Sequence, residues 1–312
     1  ADGVIQGTIG GGWVEVETQR HVAETIRVGR PVMLDFDLGS AVTAGDHPIC
    51  GGTVRVLIDP TAVRNREVYE TASAMRQDRQ RGVLLTTVQG QNDWKVTVQC
   101  RAEQAVTSGL EFPGTEAVRS TLKREQPTLF VSESTPEGQR LEVLVEPVIP
   151  APVLLIVGGG HIGQAVAAQA SLVGFDIVVI DDRPEFTRPG LFPDDATIRC
   201  GQIAEEVANF PFCQDTYVVI VTRGHKHDAD ALAACLHEPV AYIGMIGSER
   251  KVAMTRRAFV ESKRATSEEF ERVYAPIGLD IGSVTVPEIA TSIVAQLIAV
   301  RRKRTSPRIL VN

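Results

Sequence analysis

Residues 153–183 read VLLIVGGGHIGQAVAAQASLVGFDIVVIDDR, and they carry the clearest structural signal in the chain. An apolar run leads directly into Gly158, Gly160 and Gly163, which have G-x-G-x-x-G spacing. A stretch of small and apolar residues follows, and a second apolar run, 177–180, ends in two aspartates. A strand, a glycine turn, a helix and a second strand in this order are typical of a Rossmann-like, dinucleotide-binding fold.

Each glycine of this turn has a distinct expected role. Gly158 permits the tight turn, Gly160 lets a phosphate approach the backbone, and Gly163 lets the helix pack closely on the strand. The backbone amides at the start of the helix, together with the positive end of its dipole, then form an anion site. The pattern therefore predicts where a phosphate binds, but not which reaction follows.

The two halves of the chain differ in their pattern. The first half contains a helical segment at 13–29 and a polar helix near 61–81, with short strands between and after them, which indicates antiparallel pairing. These strands are expected at 32–38, 53–58, 83–88, 94–100, 128–132 and 140–146.

From residue 153 onward strands and helices alternate, which is typical of a parallel sheet. The strands are expected at 153–157, 177–180, 196–199, 217–221 and 240–244. We therefore predict an α/β chain in which a smaller α+β domain, residues 1–149, precedes a C-terminal Rossmann-like parallel-sheet domain, residues 150–312. The proline-rich stretch 146–152 is expected to link them.

Composition excludes several classes of function. The chain has 312 residues, a net charge of −7 and a pI near 5.5, which argues against general nucleic-acid binding. No apolar run approaches the roughly 20 residues of a membrane span. The five cysteines include no C-x-x-C pair, so a disulfide scaffold is not expected. We therefore expect the chain to work in a reducing cytoplasm. Because Ala1-Asp2-Gly3 resembles the turn of an interrupted hairpin, we expect a further segment upstream.

Two groups of polar residues lie in and near the glycine turn, one after each of the first two predicted strands of the second half. The imidazole of His161 could donate to a phosphate oxygen, or it could contact only water at the helix start. Asp181 and Asp182 lie where an acid accepts from the ribose hydroxyl of NAD. Such an acid repels the 2′-phosphate of NADP unless Arg183 compensates. The alternative is that Asp182 and Arg183 form a surface ion pair of little energetic value.

Two further loops follow later strands. The segment 223–228, RGHKHD, contains His225, His227 and Asp228, which suggests either a metal site or a polar loop over the ligand crevice. We favour the polar loop, because two histidines two residues apart do not point to one ion in either a strand or a helix. Residues 242–248, YIGMIGS, place Gly244 and Gly247 for close ligand approach. Alternatively, they form a tight turn with Ser248 as a helix cap.

The first half contains two glycine-rich candidates. Gly11 and Gly12 belong to a triple glycine, and Cys50 is followed by Gly51 and Gly52, which leaves its sulfur accessible. A thiolate there could ligate a soft metal or carry sulfur, and a nearby His47 could promote its ionisation. Most cysteines are inert core thiols, and this is our prediction for the other four: Cys100, Cys200, Cys213 and Cys235.

These segments together resemble the XdhC/CoxI family, accessory proteins of molybdenum hydroxylases such as xanthine dehydrogenase. The similarity covers nearly the whole chain and rests on eight ordered motifs: GTIGGGWVE (7–15), ICGG (49–52), VGGGHIG (157–163), VIDDRPEF (179–186), TRGHKHD (222–228), YIGMIGSERK (242–251), APIGLDIG (275–282) and PEIATSIVAQLIAVR (287–301).

The resemblance implies a chaperone for molybdenum cofactor, the molybdopterin complex of the metal, and not an enzyme in its own right. Such a protein binds the cofactor, supports its sulfuration and inserts it into an apo-hydroxylase of the xanthine dehydrogenase type. A cysteine desulfurase and a second copy of the chain are the further partners it implies. Cys50 is then the expected molybdenum ligand, and the expected cofactor-binding residues are Cys50, Gly51, Gly11, Gly12, Gly158, Gly160, His161, Gly163, Asp181, Asp182, Arg183, His225, Asp228, Gly244, Gly247 and Ser248.

The chain departs from the family pattern at three places. Trp13 stands where many relatives have a cysteine, His47-Pro48 replaces a commoner Gly-Met pair, and Glu249 occupies a position that is often basic. These departures affect the details of cofactor handling. The alternative function is an NAD(P)-dependent oxidoreductase that uses the same nucleotide-binding crevice, with His161 or His225 as proton donor.

Overall fold

The computed structural model describes residues 5–38, 52–90, 93–106, 112–132 and 140–302. The chain divides into two compact units, Ala1–Pro150 and Ala151–Asn312. Within the described ranges, no helix combines the length and the apolar character that crossing a membrane requires.

The first unit alternates short helices with antiparallel strands. Its described elements are α1 (Gly12–Val28), β1 (Val32–Asp37), β2 (Thr53–Ile58), α2 (Arg66–Gln77), β3 (Gly82–Gly90), β4 (Lys95–Ala102), α3 (Thr115–Arg124), β5 (Thr128–Ser132) and β6 (Arg140–Val148).

Two antiparallel sheets organise this unit. β1 pairs with β2, and the other four strands form a sheet in the order β4-β3-β6-β5. Buried residues of β3 and β6 pack against Val118 and Leu122 of α3, which closes one face of the sheet. The α+β character is as predicted, whereas α3 was not predicted and the helix near 61–81 divides into a 3-10 turn, Ala62–Asn65, and the shorter α2.

The second unit follows the predicted alternation of strands and helices. Its described elements are β7 (Val153–Val157), α4 (His161–Leu172), β8 (Asp176–Asp181), β9 (Thr197–Cys200), α5 (Ile203–Ala208), β10 (Thr216–Ile220), α6 (His225–Cys235), β11 (Tyr242–Met245), α7 (Glu249–Glu261), α8 (Ser267–Glu271), β12 (Val273–Tyr274) and α9 (Val286–Arg301).

The six strands of this unit form one parallel sheet in the order β12-β11-β10-β7-β8-β9. The order runs outward in both directions from β7 and β10, which is the strand order of a Rossmann fold. The predicted fold class is confirmed, with β12 as a sixth strand beyond the five expected. The chain adds β8 and β9 on one side of β7 and then crosses over to add β10, β11 and β12 on the other side. Ligands of such sheets bind at this crossover point, at the carboxyl ends of the strands.

Helices cover both faces of the parallel sheet. Leu155 and Val157 of β7 pack into one core with residues of α5 and α6, while Leu154 and Ile156 pack into the other core with α4 and α9. All four side chains are fully buried. Burial of one such aliphatic side chain contributes about 1.5–3 kcal/mol to folding, so β7 is a rigid base for the turn that follows it.

The glycine turn after β7 is held by two close backbone contacts. A Cβ atom on Gly163 would lie 2.0 Å from the carbonyl oxygen of Gly158, so α4 packs directly on the turn. Gly158 itself has φ +116°, and a Cβ atom there would lie 2.5 Å from the carbonyl oxygen of Val221. In contrast, a Cβ atom on Gly160 would meet nothing within 4 Å, and its φ of −68° suits any residue.

We expect Gly163→Ala to lower the free energy of unfolding by about 1–3 kcal/mol, because the new methyl group must push α4 away from the turn. Gly160→Ala is the matched control and should change that free energy by less than about 0.5 kcal/mol. Urea unfolding of both variants measures the difference. Equal stabilities would show that α4 does not depend on the close contact between Gly163 and Gly158.

Candidate functional site

The candidate site lies at the carboxyl edge of the parallel sheet, where the glycine turn meets two neighbouring loops. The turn 158–160 follows β7, Asp181 ends β8 and is followed by residues 182–183, and residues 221–224 follow β10. β7 lies between β8 and β10 in the sheet. The structure therefore brings together the predicted residues of these three loops.

Two helices begin at this edge without a side-chain cap. Gly160 is the N-cap of α4 and Gly224 is the N-cap of α6, and neither helix has a side-chain hydrogen bond at its cap. The first amides of a helix lack partners within the helix and carry partial positive charge. Because His161 is exposed as the first residue of α4, these amides and its imidazole are available to an anion.

Asp181 is the buried acid that holds the glycine turn in place. Its carboxylate accepts hydrogen bonds from the Gly159 amide (2.8 Å), the Arg183 amide (3.0 Å), and Nε and Nη2 of Arg183 (both 2.9 Å). An ionised carboxylate has about four acceptor sites. All of them are filled, so Asp181 cannot accept from a ribose hydroxyl without losing one of these bonds.

The surroundings of Asp181 favour its ionised form. Burial alone would raise the pKa of Asp181, but the hydrogen bonds from Arg183 and from the Gly159 amide outweigh burial and hold the pKa below its ordinary value of 3.8. Arg183 also stacks on the ring of Phe186, with its guanidinium carbon 3.8 Å from the ring centroid. Arg183 therefore pairs with Asp181. The Asp182–Arg183 surface pair, which the sequence left as an alternative, does not form in this described part of the chain.

Asp182 forms its ion pair with Arg223 instead. The Nη2 atom of Arg223 lies 2.8 Å from the Oδ2 atom of Asp182. This contact joins the end of β8 to the loop after β10. Because β7 lies between these two strands, the pair spans the end of β7, where the glycine turn begins.

Residues 225–228 of this segment form the first turn of α6, while Arg223 and Gly224 belong to the loop before it. His225 is the first residue of α6, and its Nδ1 atom lies 3.5 Å from Oγ1 of Thr255. Asp228 is fully buried, accepts a hydrogen bond from Thr222 Oγ1 (2.6 Å), and forms an ion pair with Lys251. Asp228 therefore ties the loop after β10 to α7.

No metal site is found at these histidines. Among the residues that the structure describes, no three His, Cys, Asp or Glu side chains are grouped so that they could hold a metal ion. A ligand contact of this segment stays a prediction.

The loop after β11 has mainly structural contacts. A Cβ atom on Gly244 would lie 2.5 Å from both Ile277 Cδ1 and Tyr242 Oη, so its small size serves packing. Ser248 is the N-cap of α7, and its side chain accepts from the Lys251 amide. A Cβ atom on Gly247 would lie 3.0 Å from the Lys251 side chain. Ligand contacts of these three residues remain predictions.

The candidates of the first unit lie partly outside the described residues. Cys50, Gly51 and His47 belong to the range 39–51, which the structure does not describe. Gly11 is the N-cap of α1 and Gly12 its first residue, and both have positive φ angles that favour glycine.

The described cysteines differ in their surroundings. Burial raises the pKa of Cys235 to about 12 and also raises that of Cys100, so both thiols are unreactive at neutral pH. Cys213 is half-buried, whereas Cys200 is exposed. The prediction that Cys200 is a core thiol was wrong, because it is the last residue of β9, at the open edge of the sheet.

Two functional candidates were not in the predicted set. Arg223 and Lys251 both place positive charge at the edge where the ligand crevice lies, and each is paired with an acid from a different element: Asp182 after β8 and Asp228 in α6. Both belong to motifs that the sequence shows, TRGHKHD and YIGMIGSERK. Their acid partners are 41 and 23 residues away along the chain, and sequence spacing does not reveal such pairs.

We expect Asp181→Asn to lower the free energy of unfolding at pH 7 by about 2–4 kcal/mol, because the Arg183 guanidinium then lacks its anion. The lowered pKa of Asp181 fixes the pH dependence. The stabilisation is fully present above the unfolded pKa of about 3.8 and is lost as pH falls through the lower folded pKa. Thermal melts of wild type and variant should therefore converge below about pH 4. A constant gap down to pH 2 would contradict this assignment.

Three relatives resemble this chain over different lengths. A solved structure from Bacillus halodurans, described as a xanthine dehydrogenase, matches 98% of this chain and is itself matched over 85%, with a TM-score of 0.73 and 26% identity. A Bacillus subtilis protein, whose name describes it as a probable xanthine dehydrogenase component, is 23% identical over 300 residues, which is 95% of this chain and 84% of that protein. Uncharacterized protein YqeB of Escherichia coli is 35% identical over 151 residues, 48% of this chain. That match spans only 27% of YqeB.

The second unit matches a family model. Residues 154–297 correspond to the XdhC Rossmann domain. This range contains the whole glycine turn, the loops after β8 and β10, and most of α9. This match shows that the second unit is an XdhC Rossmann domain, and the Bacillus halodurans structure is similar to this chain over nearly its full length.

Proposed function

We propose that this chain is an accessory protein that binds molybdenum cofactor, supports its sulfuration and inserts it into a molybdenum hydroxylase of the xanthine dehydrogenase type. The match of the second unit to the XdhC Rossmann domain supports this function. The names of two relatives, which both refer to xanthine dehydrogenase, support the choice of client enzyme.

The observation that carries the proposal is the open, uncapped start of α4. Molybdopterin ends in a phosphate, and the amides after Gly160 lie at a helix start that has no side-chain cap. Space is also available, since a Cβ atom on Gly160 would meet no atom within 4 Å. Backbone amides at a helix start are a general phosphate-binding arrangement. The residues present thus fit the phosphate end of the cofactor, with Gly160 and His161 as the groups that hold it.

Sulfur chemistry is the second part of the proposal and is assigned to Cys50. When bound, the cofactor supplies a molybdenum centre with soft sulfur ligands, for which a thiolate is a suitable partner. Cys50 lies outside the described residues, so its role as metal ligand and sulfur carrier is supported by the family resemblance alone. Cys235 is a poor candidate for this role, because its thiol is buried and its pKa is about 12.

The proposed partners follow from the same resemblance. An apo-hydroxylase receives the cofactor, a cysteine desulfurase supplies the sulfur, and a second copy of the chain completes a homodimer. All of them are proposed to meet the chain in the cytoplasm.

An NAD(P)-dependent oxidoreductase is the competing function, and the strand order of the second unit is the observation that favours it. The charges at the end of β8 argue against it. Asp181 has its acceptor sites filled by Gly159 and Arg183, and Asp182 is paired with Arg223. Arg183 is itself bound to Asp181, so it is not available to the 2′-phosphate of NADP.

We expect Gly160→Ala to weaken binding of molybdenum cofactor at least about tenfold, because its methyl group occupies the approach of the phosphate while the fold has room for it. Anaerobic titration of the full chain with purified cofactor, and separately with NAD, measures this change. Ala168→Ser, which adds an atom on the exposed side of α4, is the matched control and should bind as wild type does.

A different outcome would favour the competing function. If the wild type bound NAD specifically and retained no molybdenum cofactor, the accessory role would be wrong. If cofactor bound equally well to wild type and to Gly160→Ala, the phosphate would not lie at the glycine turn.

We expect Cys50→Ala to abolish transfer of labelled sulfur from a cysteine desulfurase to the chain, because the accepting thiolate is gone. The matched control is Cys200→Ala, which removes an exposed thiol of the second unit. Mass spectrometry of the anaerobically incubated proteins locates the persulfide. A persulfide on Cys200, or one that persists in Cys50→Ala, would contradict the assignment of Cys50.

A further inference from the structure

We infer that Arg223 is the side chain that receives the phosphate of the bound ligand, and that Asp182 occupies Arg223 until this phosphate displaces it. This inference rests on the proposed function, since it concerns the same crevice. It goes beyond that function by naming a phosphate-binding side chain and the carboxylate that competes with the ligand for it.

The position of the pair is the first observation. Asp182 directly follows the end of β8, Arg223 lies three residues beyond the end of β10, and their side chains meet at 2.8 Å. Since β7 lies between those strands, the pair spans the carboxyl end of β7. A phosphate held by the amides after Gly160 therefore binds beside the guanidinium of Arg223.

The exposure of the pair is the second observation. The side chain of Asp182 is 27% exposed and that of Arg223 is 45% exposed, and an ion pair in such a setting contributes about 0–1 kcal/mol. The neighbouring Asp181–Arg183 pair is different, because its carboxylate is 2% exposed and has four hydrogen bonds. The Asp182–Arg223 pair can thus separate at little cost, whereas Asp181 and Arg183 stay together.

Two other basic groups at this edge, Arg183 and Lys251, are bound to buried carboxylates. Arg183 is bound to Asp181, and Lys251 is bound to Asp228, whose side chain is fully buried. Moving Lys251 away would leave that carboxylate unpaired in the interior, which is costly. Within the described ranges, Arg223 donates a side-chain hydrogen bond to Asp182 and to no other residue. Because Asp182 is partly exposed, water can hydrate its carboxylate when Arg223 moves away.

The chemistry of the exchange favours a phosphate over the carboxylate. A guanidinium binds phosphate through two parallel hydrogen bonds, and a phosphate monoester carries a charge of about −1.5 to −2 near neutral pH. The amides at the start of α4 attract the same anion. In the unliganded chain Asp182 neutralises Arg223, so the side chain is held in position without a ligand.

The test uses inorganic phosphate as the probe and the full chain labelled with ¹⁵N. Shifts of the Gly160 and His161 amide signals report binding at the glycine turn and do not depend on any enzyme activity. The variants are Asp182→Asn, Arg223→Gln and the double variant. Glu185→Gln is the matched control, since it removes one exposed negative charge from the same loop.

We expect Asp182→Asn to bind phosphate roughly three- to tenfold more tightly, because Arg223 loses its competitor, and Arg223→Gln to bind it more weakly by a similar factor. In the Arg223→Gln background, Asp182→Asn should give less than about a twofold gain. Glu185→Gln should also change affinity less than about twofold.

Two results would overturn the inference while leaving the proposed function intact. One is binding that depends on Gly160 but is unchanged in Arg223→Gln. The other is an equal gain from Asp182→Asn with and without Arg223, which would reflect general charge repulsion. If phosphate shifted neither amide signal in any protein, this inference and the phosphate site of the proposed function would both be wrong. Because the pair is exposed, all variants should melt within a few degrees of wild type.

Discussion

The carboxylate of Asp181 is the interaction on which the candidate site depends. It joins the end of β8 to the Gly159 amide in the turn after β7, and Arg183 neutralises it from the same side. The turn is thereby held between β8, through Asp181, and α4, through the close contact of Gly163 with the Gly158 carbonyl. An anion meets amides that are already oriented, so binding does not have to order the loop.

The charged side chains at the carboxyl edge of the sheet are of two kinds: buried pairs that hold the fold, and an exposed pair that can contact a ligand. Asp181 with Arg183, and Asp228 with Lys251, have buried carboxylates. Asp181 holds the glycine turn through the Gly159 amide, and Asp228 joins the loop after β10 to α7. Asp182 with Arg223 is exposed and joins the two loops beside the glycine turn. This division lets one crevice be rigid in its backbone and still offer a guanidinium to a ligand. The proposed function needs both properties, because a carrier must hold its ligand and later release it.

Much of this architecture follows from the sequence. The strands β7, β8 and β10 have apolar runs, and the glycines mark the turn after β7, so the fold class could be predicted. β12 could not, because Val273–Tyr274 is too short to show a pattern. The helix α3 was missed because a mainly polar segment presents only Val118, Thr121 and Leu122 to the core.

The sequence predicted where the candidate residues lie in the fold, but not which side chains they contact. The glycine turn, Asp181 and Asp182 lie at the strand ends where the sequence placed them, but their partners depend on strand order and on side-chain direction. Arg183 turns back to Asp181, two residues away, although Asp182 is its neighbour in the chain. Arg223 reaches Asp182 because β8 and β10 lie on either side of β7, with no further strand between them. Such pairings are properties of the folded chain and not of local spacing.

The most direct measurement of the central claim is a crystal structure of the full chain grown anaerobically with molybdenum cofactor. The account predicts that the phosphate is hydrogen-bonded to the backbone amides of Gly160 and His161, with Asp181 still bound to Gly159 and Arg183. A cofactor whose phosphate lies away from the start of α4, or a displaced Asp181, would contradict it.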